Sequence, residues 1–266
     1  MRLIKASIIA CLFALLGACA STPDEADGGG AAEQYERASS SVRNASWEVA
    51  IRDLRRVQAR FPFDPYAVQA HLDLIYVQYQ LGDKEAVIEE ADRFIRENPR
   101  HLAVDYAYYM RGLIYFPPDQ FFLERWFSID QASANAEDAR RSFQYLRRLV
   151  EASPASVYAP DARKRMVALY DLLARHELLV AKWYMRRGAY VAAAARAKDL
   201  LELYPESEMR AEGLELMVLA YRRLGLDELA DGAQQVLDLN YPGRAPTLRF
   251  QPRNERWIDW VRDFFS

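Results

Sequence analysis

The sequence predicts an all-α protein, a solenoid of about five helix pairs, and three observations carry that prediction. Prolines 62, 99, 154, 205 and 242 each close an amphipathic stretch, and proline cannot continue a helix. Residue types recur at fixed distances before those prolines. The marks of β structure, turn dipeptides between alternating runs, are missing, and of only eleven glycines three sit together at 28–30.

Taken in order, residues 1–18 are predicted to be a leader. Arg2 and Lys5 precede an apolar run from Ala6 to Leu16, too short to span a bilayer comfortably and laid out as a secretory signal. The following Leu16-Gly17-Ala18-Cys19 resembles the lipobox of bacterial lipoproteins. That resemblance implies acylation of the Cys19 thiol and cleavage that leaves Cys19 as the new N-terminus. The other cysteine, Cys11, leaves with the leader, so the mature fold carries no disulfide although its compartment would permit one. Ala20 stands where the enterobacterial sorting rule places Asp in inner-membrane lipoproteins, so the outer membrane is the expected address. Residues 19–33 are acidic, glycine-rich and aperiodic, and read as a lipidated tether with a reach of roughly 20 Å.

The first complete helix–break–helix runs from Trp47 to Tyr79. Its first helix stops before Pro62, Asp64 offers an N-cap oxygen, and Pro65 fits the first helical position. Beyond it Val68, Leu72, Ile75 and Tyr79 form one apolar row, and Ala70, Leu74, Val77 and Leu81 another. A helix apolar on two sides is sandwiched between neighbours. Counting back seventeen residues from four of the prolines gives Ala45, Gly82, Gly188 and Gly225, at predicted turns. Twelve back stand Ala50, Val87, Ser142, Ala193 and Ala230; five back stand Val57, Phe94, Leu149, Leu200 and Leu237. Turn, small residue, large apolar residue and closing proline together make the layout of a tetratricopeptide repeat.

The prolines are 37, 55, 51 and 37 residues apart, so two units depart from a repeat of about 34. Units 1–3 occupy 34–155, and the long gap is assigned to a loop at 116–135, FPPDQFFLERWFSIDQASAN, between the two helices of unit three. Units 4–5 occupy 156–242. Tyr158 to Arg187 is continuously helix-forming, either an extra helix before unit four or one long bent helix. The extension 243–266 is coiled at first, then ERWIDWVRDFFS places Trp257, Trp260, Val261 and Phe264 on one face of a short helix. That helix is read as a cap over the last repeat or as a partner-binding or membrane-surface helix.

Composition narrows the function. Half the residues are hydrophobic and a quarter charged, as in ordinary globular proteins. Losing Arg2 and Lys5 takes Lys+Arg from 35 to 33 against 38 Asp+Glu, a net charge of about −5, so no nucleic-acid partner is expected. No catalytic constellation stands out. His176-Glu177 begins like a zinc-protease motif, but position 180 is Val, so two metal ligands one turn apart are missing. His71, His101 and His176 share no spacing and read as surface or groove residues, and Glu89-Glu90 reads as a solvated acidic face. No metal, no other cofactor and no enzymatic activity are expected. Binding remains, through the concave face of the repeats. Tyr66, Tyr76, Tyr79, Tyr106, Tyr108 and Tyr109 are candidates to line that face or to pack in the core. Asp73, polar in an apolar helix, is placed to meet a peptide amide or a neighbouring repeat.

The runs FPFDPYAVQAHLDLIYVQY, ADRFIRENPRHLAVDYAYYMRGL, WFSID, DARKRMVALYDLLARHELLVAKWYMRRGAYVAAAARA and LMVLAYRRLGL resemble the BamD family, lipoproteins of the outer-membrane β-barrel assembly machinery. The likeness runs from about Glu33 to Pro242. It implies a non-catalytic scaffold on the periplasmic face of the outer membrane. Its C-terminal repeats would dock on the POTRA domain of BamA nearest the barrel and touch the small lipoproteins BamC and BamE. Its N-terminal repeats would receive the extended, aromatic-ended targeting strand of unfolded barrel proteins, which an aromatic-walled groove suits. Carried over by position, the substrate-side candidates are Phe63, Tyr66, Asp73, Tyr76 and Tyr79, and the BamA-side candidates are Tyr184, Arg187 and Arg196. Arg196 is the first choice, since arginine pairs bidentately with a partner's carboxylate. FSIDQASAN replaces a more charged run in the insertion, and the Trp-rich tail has no counterpart in the family pattern. The alternative reading is a lipoprotein that regulates or tethers peptidoglycan enzymes.

Overall fold

A computed structural model of the chain describes residues 29–117 and 136–244. The leader, Cys19, most of the tether, the insertion from 118 to 135 and the tail from 245 lie outside the described residues. Ten α-helices stand among them: α1 Ala31–Arg43, α2 Trp47–Arg60, α3 Pro65–Leu81, α4 Lys84–Glu97, α5 Val104–Leu113, α6 Ala136–Ala152, α7 Ala159–Arg186, α8 Tyr190–Leu203, α9 Arg210–Arg223 and α10 Asp227–Asn240. Along the chain they follow one another as α1/α2, α3/α4, α5/α6, α7/α8 and α9/α10, the second helix of each couple ending just before one of the five prolines. The tetratricopeptide layout is therefore the observed fold, and no strand occurs among the described residues.

The predicted turns are left-handed caps. Ala45, Gly82, Gly188 and Gly225 have φ of 54°, 72°, 74° and 70°. At Gly188 the amide of Ala189 donates to the Tyr184 carbonyl (3.1 Å) and the Gly188 amide to Met185 (3.1 Å). That is a Schellman closure, and it satisfies carbonyls the helix end would otherwise orphan. Only glycine takes this conformation without a Cβ penalty, which explains three of the four residues. Asp64 and Asp83 cap the helices that follow them, accepting from the amides of Tyr66 (2.9 Å) and Ala86 (3.0 Å).

The chain divides into two compact bodies between Val77 and Gln78. The first is held by Ala38, Ala50, Leu54, Val57, Ala70, Leu74 and Val77. In the second, α6 to α9 share one core that includes Leu146, Leu149, Leu169, Leu200 and Leu216. Each such leucine contributes about 1.5–3 kcal/mol by leaving water. The small residues predicted at the crossings and the large residues predicted five before each proline are all buried. In the third pair the crossing is especially close: Ser142 Oγ donates to the Gly112 carbonyl at 2.8 Å, and a Cβ on Gly112 would lie 2.4 Å from Leu146 Cδ2.

Four expectations need correction, and one open alternative is resolved. Helix α1 begins at Ala31, so the last residues assigned to the tether are helical. Of the two readings left open for Tyr158 to Arg187, the single long helix is the observed one, with 28 residues from Ala159 to Arg186. Leu81, placed in an apolar row, is 43% exposed, because it ends α3 at the Gly82 turn. His71, read as a surface or groove residue, is buried. Glu90 is buried too, paired with Arg93 one turn along α4, because the helix that was read as solvated there packs against α5.

Candidate functional site

No described helix is long and apolar enough to cross a membrane. No group of three or more His, Cys, Asp or Glu side chains that could hold a metal ion occurs among the described residues. Exposed aromatic side chains occur in each of the two bodies.

In the first body, the loop before α3 holds Phe63 fully exposed, and Tyr66 and Tyr76 are 40% and 38% exposed. Tyr66 lies against Tyr35 with ring centroids 5.2 Å apart, and Trp47 meets Tyr76 edge-on at 6.5 Å. Tyr66 and Tyr76 are thus each backed by a second ring, from α1 and α2 respectively, which fixes their orientation at little further entropic cost. Asp73 is occupied internally: Tyr35 Oη donates to one carboxylate oxygen at 2.8 Å and Gln69 Nε2 to the other at 3.1 Å. Of the two roles the sequence left open, contact with the neighbouring repeat is the one the structure shows. Burial raises the Asp73 carboxyl above its ordinary value, against its hydrogen bonds, which lower it. It raises the Tyr35 phenol as well.

The sign of the Asp73 effect is testable. A folded-state pKa above the unfolded one gives stability that is present below the unfolded pKa and lost as pH rises through the folded pKa. Asp73→Asn keeps the shape and removes the charge. It is expected to flatten that segment of the stability–pH curve and to leave the variant no less stable than the parent at neutral pH. Urea melts at several pH values check this; an unchanged slope would show that Asp73 does not titrate as described.

Tyr79 stands one turn beyond Tyr76 on α3 and is half-buried. The remaining first-helix tyrosines serve packing. Tyr109 stacks on Tyr158 at 4.8 Å and donates to Asp161, which also pairs with Arg165 at 2.6 Å. Burial first, then the Asp161 carboxylate, push the Tyr109 phenol up to about 12. Tyr106 lies 5.8 Å from Tyr158. Tyr108 faces the Arg111 guanidinium at 5.7 Å. Of the six tyrosines proposed to line a groove, Tyr66 and Tyr76 present the most open surface.

In the second body, the C-terminal end of α7 carries Trp183, 42% exposed. Tyr184 meets it edge-on at 4.9 Å, and the Arg187 guanidinium sits 4.1 Å over its ring. Arg187 is the C-cap residue, where a cation also suits the negative end of the helix dipole. Lys182, just before, ties α7 to Glu212 of α9 at 2.6 Å. Trp, Tyr and Arg are the residues most enriched at binding hot spots, and these arrive pre-oriented. The structure thus joins Tyr184 and Arg187, named from sequence, through Trp183, which sequence reasoning missed. The signal for it was present as an aromatic pair just before the Gly188 turn.

Arg196 is differently placed. Its Nη1 lies 3.1 Å from Oε2 of Glu177, and Arg140 Nη2 lies 3.1 Å from Oε1 of the same carboxylate. Glu177 is 3% exposed. The guanidinium proposed for a partner's carboxylate therefore already holds one from its own chain, across α7 and α8, and the surface around Trp183 and Arg187 is the freer of the two.

Residues 28–236 match the family described as outer membrane lipoprotein, YfiO. The outer membrane protein assembly factor BamD of Vibrio cholerae serotype O1 is 35% identical over 226 residues, 85% of this chain and 94% of that protein. BamD of Neisseria meningitidis serogroup A is 36% identical over 225 residues, 84% of each. Among solved structures, one of MamA covers 74% of this chain and 90% of its own at 16% identity with a TM-score of 0.36, a likeness on which nothing rests.

Proposed function

The chain belongs to the BamD family of outer membrane lipoproteins, and on that premise we propose that it is a non-catalytic assembly scaffold for outer-membrane β-barrel proteins. It is anchored on the periplasmic face by lipid on Cys19. It binds the POTRA region of a BamA-like barrel protein through its C-terminal repeats, with smaller BamC- and BamE-like lipoproteins alongside. Its N-terminal repeats receive unfolded barrel chains. No cofactor enters this role.

The observation that supports the reading most is the Trp183–Tyr184–Arg187 cluster, a half-exposed aromatic platform with its cation already stacked. A partner edge bearing a carboxylate beside an apolar side chain fits it: Arg187 keeps hydrogen-bond donors free in its plane while its face lies on the indole. On the first body, Phe63, Tyr66 and Tyr76 offer apolar faces to an aromatic-ended strand, while Asp73 acts behind them by fixing α3 to α1.

The test uses the full lipidated chain with an affinity tag, extracted from outer membrane in mild detergent. Recovery of a POTRA-bearing barrel protein in near-equal amount is expected. Trp183→Ala with Arg187→Ala should lower affinity for that partner about tenfold or more, with unchanged helical content. Recovery of peptidoglycan synthases instead, or equal partner recovery by the double variant, would overturn the reading or its site.

A further inference from the structure

Helix α10 is packed on α9 along one side, with Ala230, Ala233 and Leu237 buried there. The flank beside that side is apolar and open. Leu229, Val236 and Leu239 are 53%, 46% and 83% exposed, and a Cβ on Gly232 would meet nothing within 4 Å. Positions 229, 232, 236 and 239 fall on one helical stripe. In a stack of repeats each pair covers the apolar side of the one before, so the terminal pair needs a different cover.

Three features of this chain identify that cover. Arg244 Nε lies 2.7 Å from Oε1 of Glu215, whose side chain is 2% exposed, so the chain leaves α10 held against α9. The charges are complementary: α10 carries Asp227, Glu228, Asp231 and Asp238 and no basic residue, whereas the stretch from 244 to 256 holds Arg244, Arg249, Arg253 and Arg256 against Glu255 alone. The lengths agree as well. Ten linking residues extend up to about 35 Å, more than the roughly 21 Å of a fourteen-residue helix, so Trp257, Trp260, Val261 and Phe264 can reach any point of the stripe.

We propose that the segment 245–266 folds back on its own last repeat and covers the Leu229–Val236–Leu239 stripe with its two tryptophans and Phe264. The occupant is the chain's own tail. A covalently attached segment meets the stripe at an effective concentration in the millimolar range, and the acidic helix repels an anionic lipid surface.

The test is amide hydrogen exchange on the full chain, on the chain truncated after Arg244, and on Trp257→Ala with Trp260→Ala. Residues 227–240 are expected to exchange about tenfold faster or more in both variants, with residues 47–60 unchanged. Val236→Glu in the full chain should reproduce the loss, and in the truncated chain it should add nothing, because the contact it breaks is already gone. Equal exchange of α10 in all chains would overturn the proposal. So would protection that rises with protein concentration, which would mean a second copy, or protection that appears only with phosphatidylethanolamine–phosphatidylglycerol vesicles, which would mean lipid. The test involves no assembly partner, so its outcome is separable from that of the scaffold reading.

Discussion

Replacing Arg140 and Arg196 together with alanine is expected to destabilise the second body by about 3 kcal/mol, whereas either replacement alone should cost about 1 kcal/mol or less. The reason is the asymmetry of the site. Glu177 is buried, while both arginines are about 40% exposed and can be hydrated when unpaired. One arginine suffices to keep the carboxylate compensated. With neither, a charge stays buried without a partner, beside the Tyr204 phenol, which burial and this carboxylate already raise. Glu177→Gln in the double-alanine background should recover most of the loss, since it removes the charge and keeps the shape. Denaturant melts of the parent and these four variants decide the matter, and strict additivity of the two single replacements would show that they do not share Glu177. Arg196→Glu is for the same reason a poor probe of partner binding: it sets a second carboxylate beside the first.

Gly112→Ala is expected to cost about 2 kcal/mol, and Gly232→Ala to gain up to about 1 kcal/mol, although each puts the same methyl group into a helix. Alanine has the better helix propensity by roughly 1 kcal/mol, and at Gly232 no atom of the described residues lies within 4 Å of the new Cβ, where a methyl group only adds to the apolar stripe. At Gly112 the new Cβ would meet Leu146 Cδ2 at 2.4 Å and Cγ at 2.6 Å. Leu146 is fully buried, so it can yield only by pushing on the core, and overpacking of this kind costs typically 1–3 kcal/mol. The Ser142 hydrogen bond to the Gly112 carbonyl would lengthen as α5 and α6 separate. Leu146→Ala should be less damaging in the Gly112→Ala background than alone. Equal effects of the two glycine replacements would refute the close crossing.

Much of this was legible in the chain because the signals are local and repeat. A left-handed cap needs glycine or a small residue at one position, a helix must stop before proline, and a crossing admits only a small side chain. Each constraint acts within a few residues, so Gly82, Gly188, Gly225, Ala50 and Ala193 carried their structural roles openly. The family likeness was legible for the same reason, spread over runs of consecutive residues.

The side-chain partnerships were not. Tyr35 meets Asp73 across 38 residues of sequence, and Glu177 meets Arg140 across 37 and Arg196 across 19. Nothing in the spacing marks such pairs, because the angle and offset at which two helices cross decide which residues face each other, and those depend on the whole set of core contacts. So Arg196 read as a guanidinium open to a partner, Glu90 as a solvated acid and His71 as a surface or groove residue, while Trp183 passed unnoticed. The amino-acid sequence by itself determined that this protein is built of five successive helix pairs, and where each turns, because turns and helix ends are short-range. Which charges are held inside, and which aromatic rings face outward for a partner, was decided only by tertiary packing, which alone sets what each side chain meets.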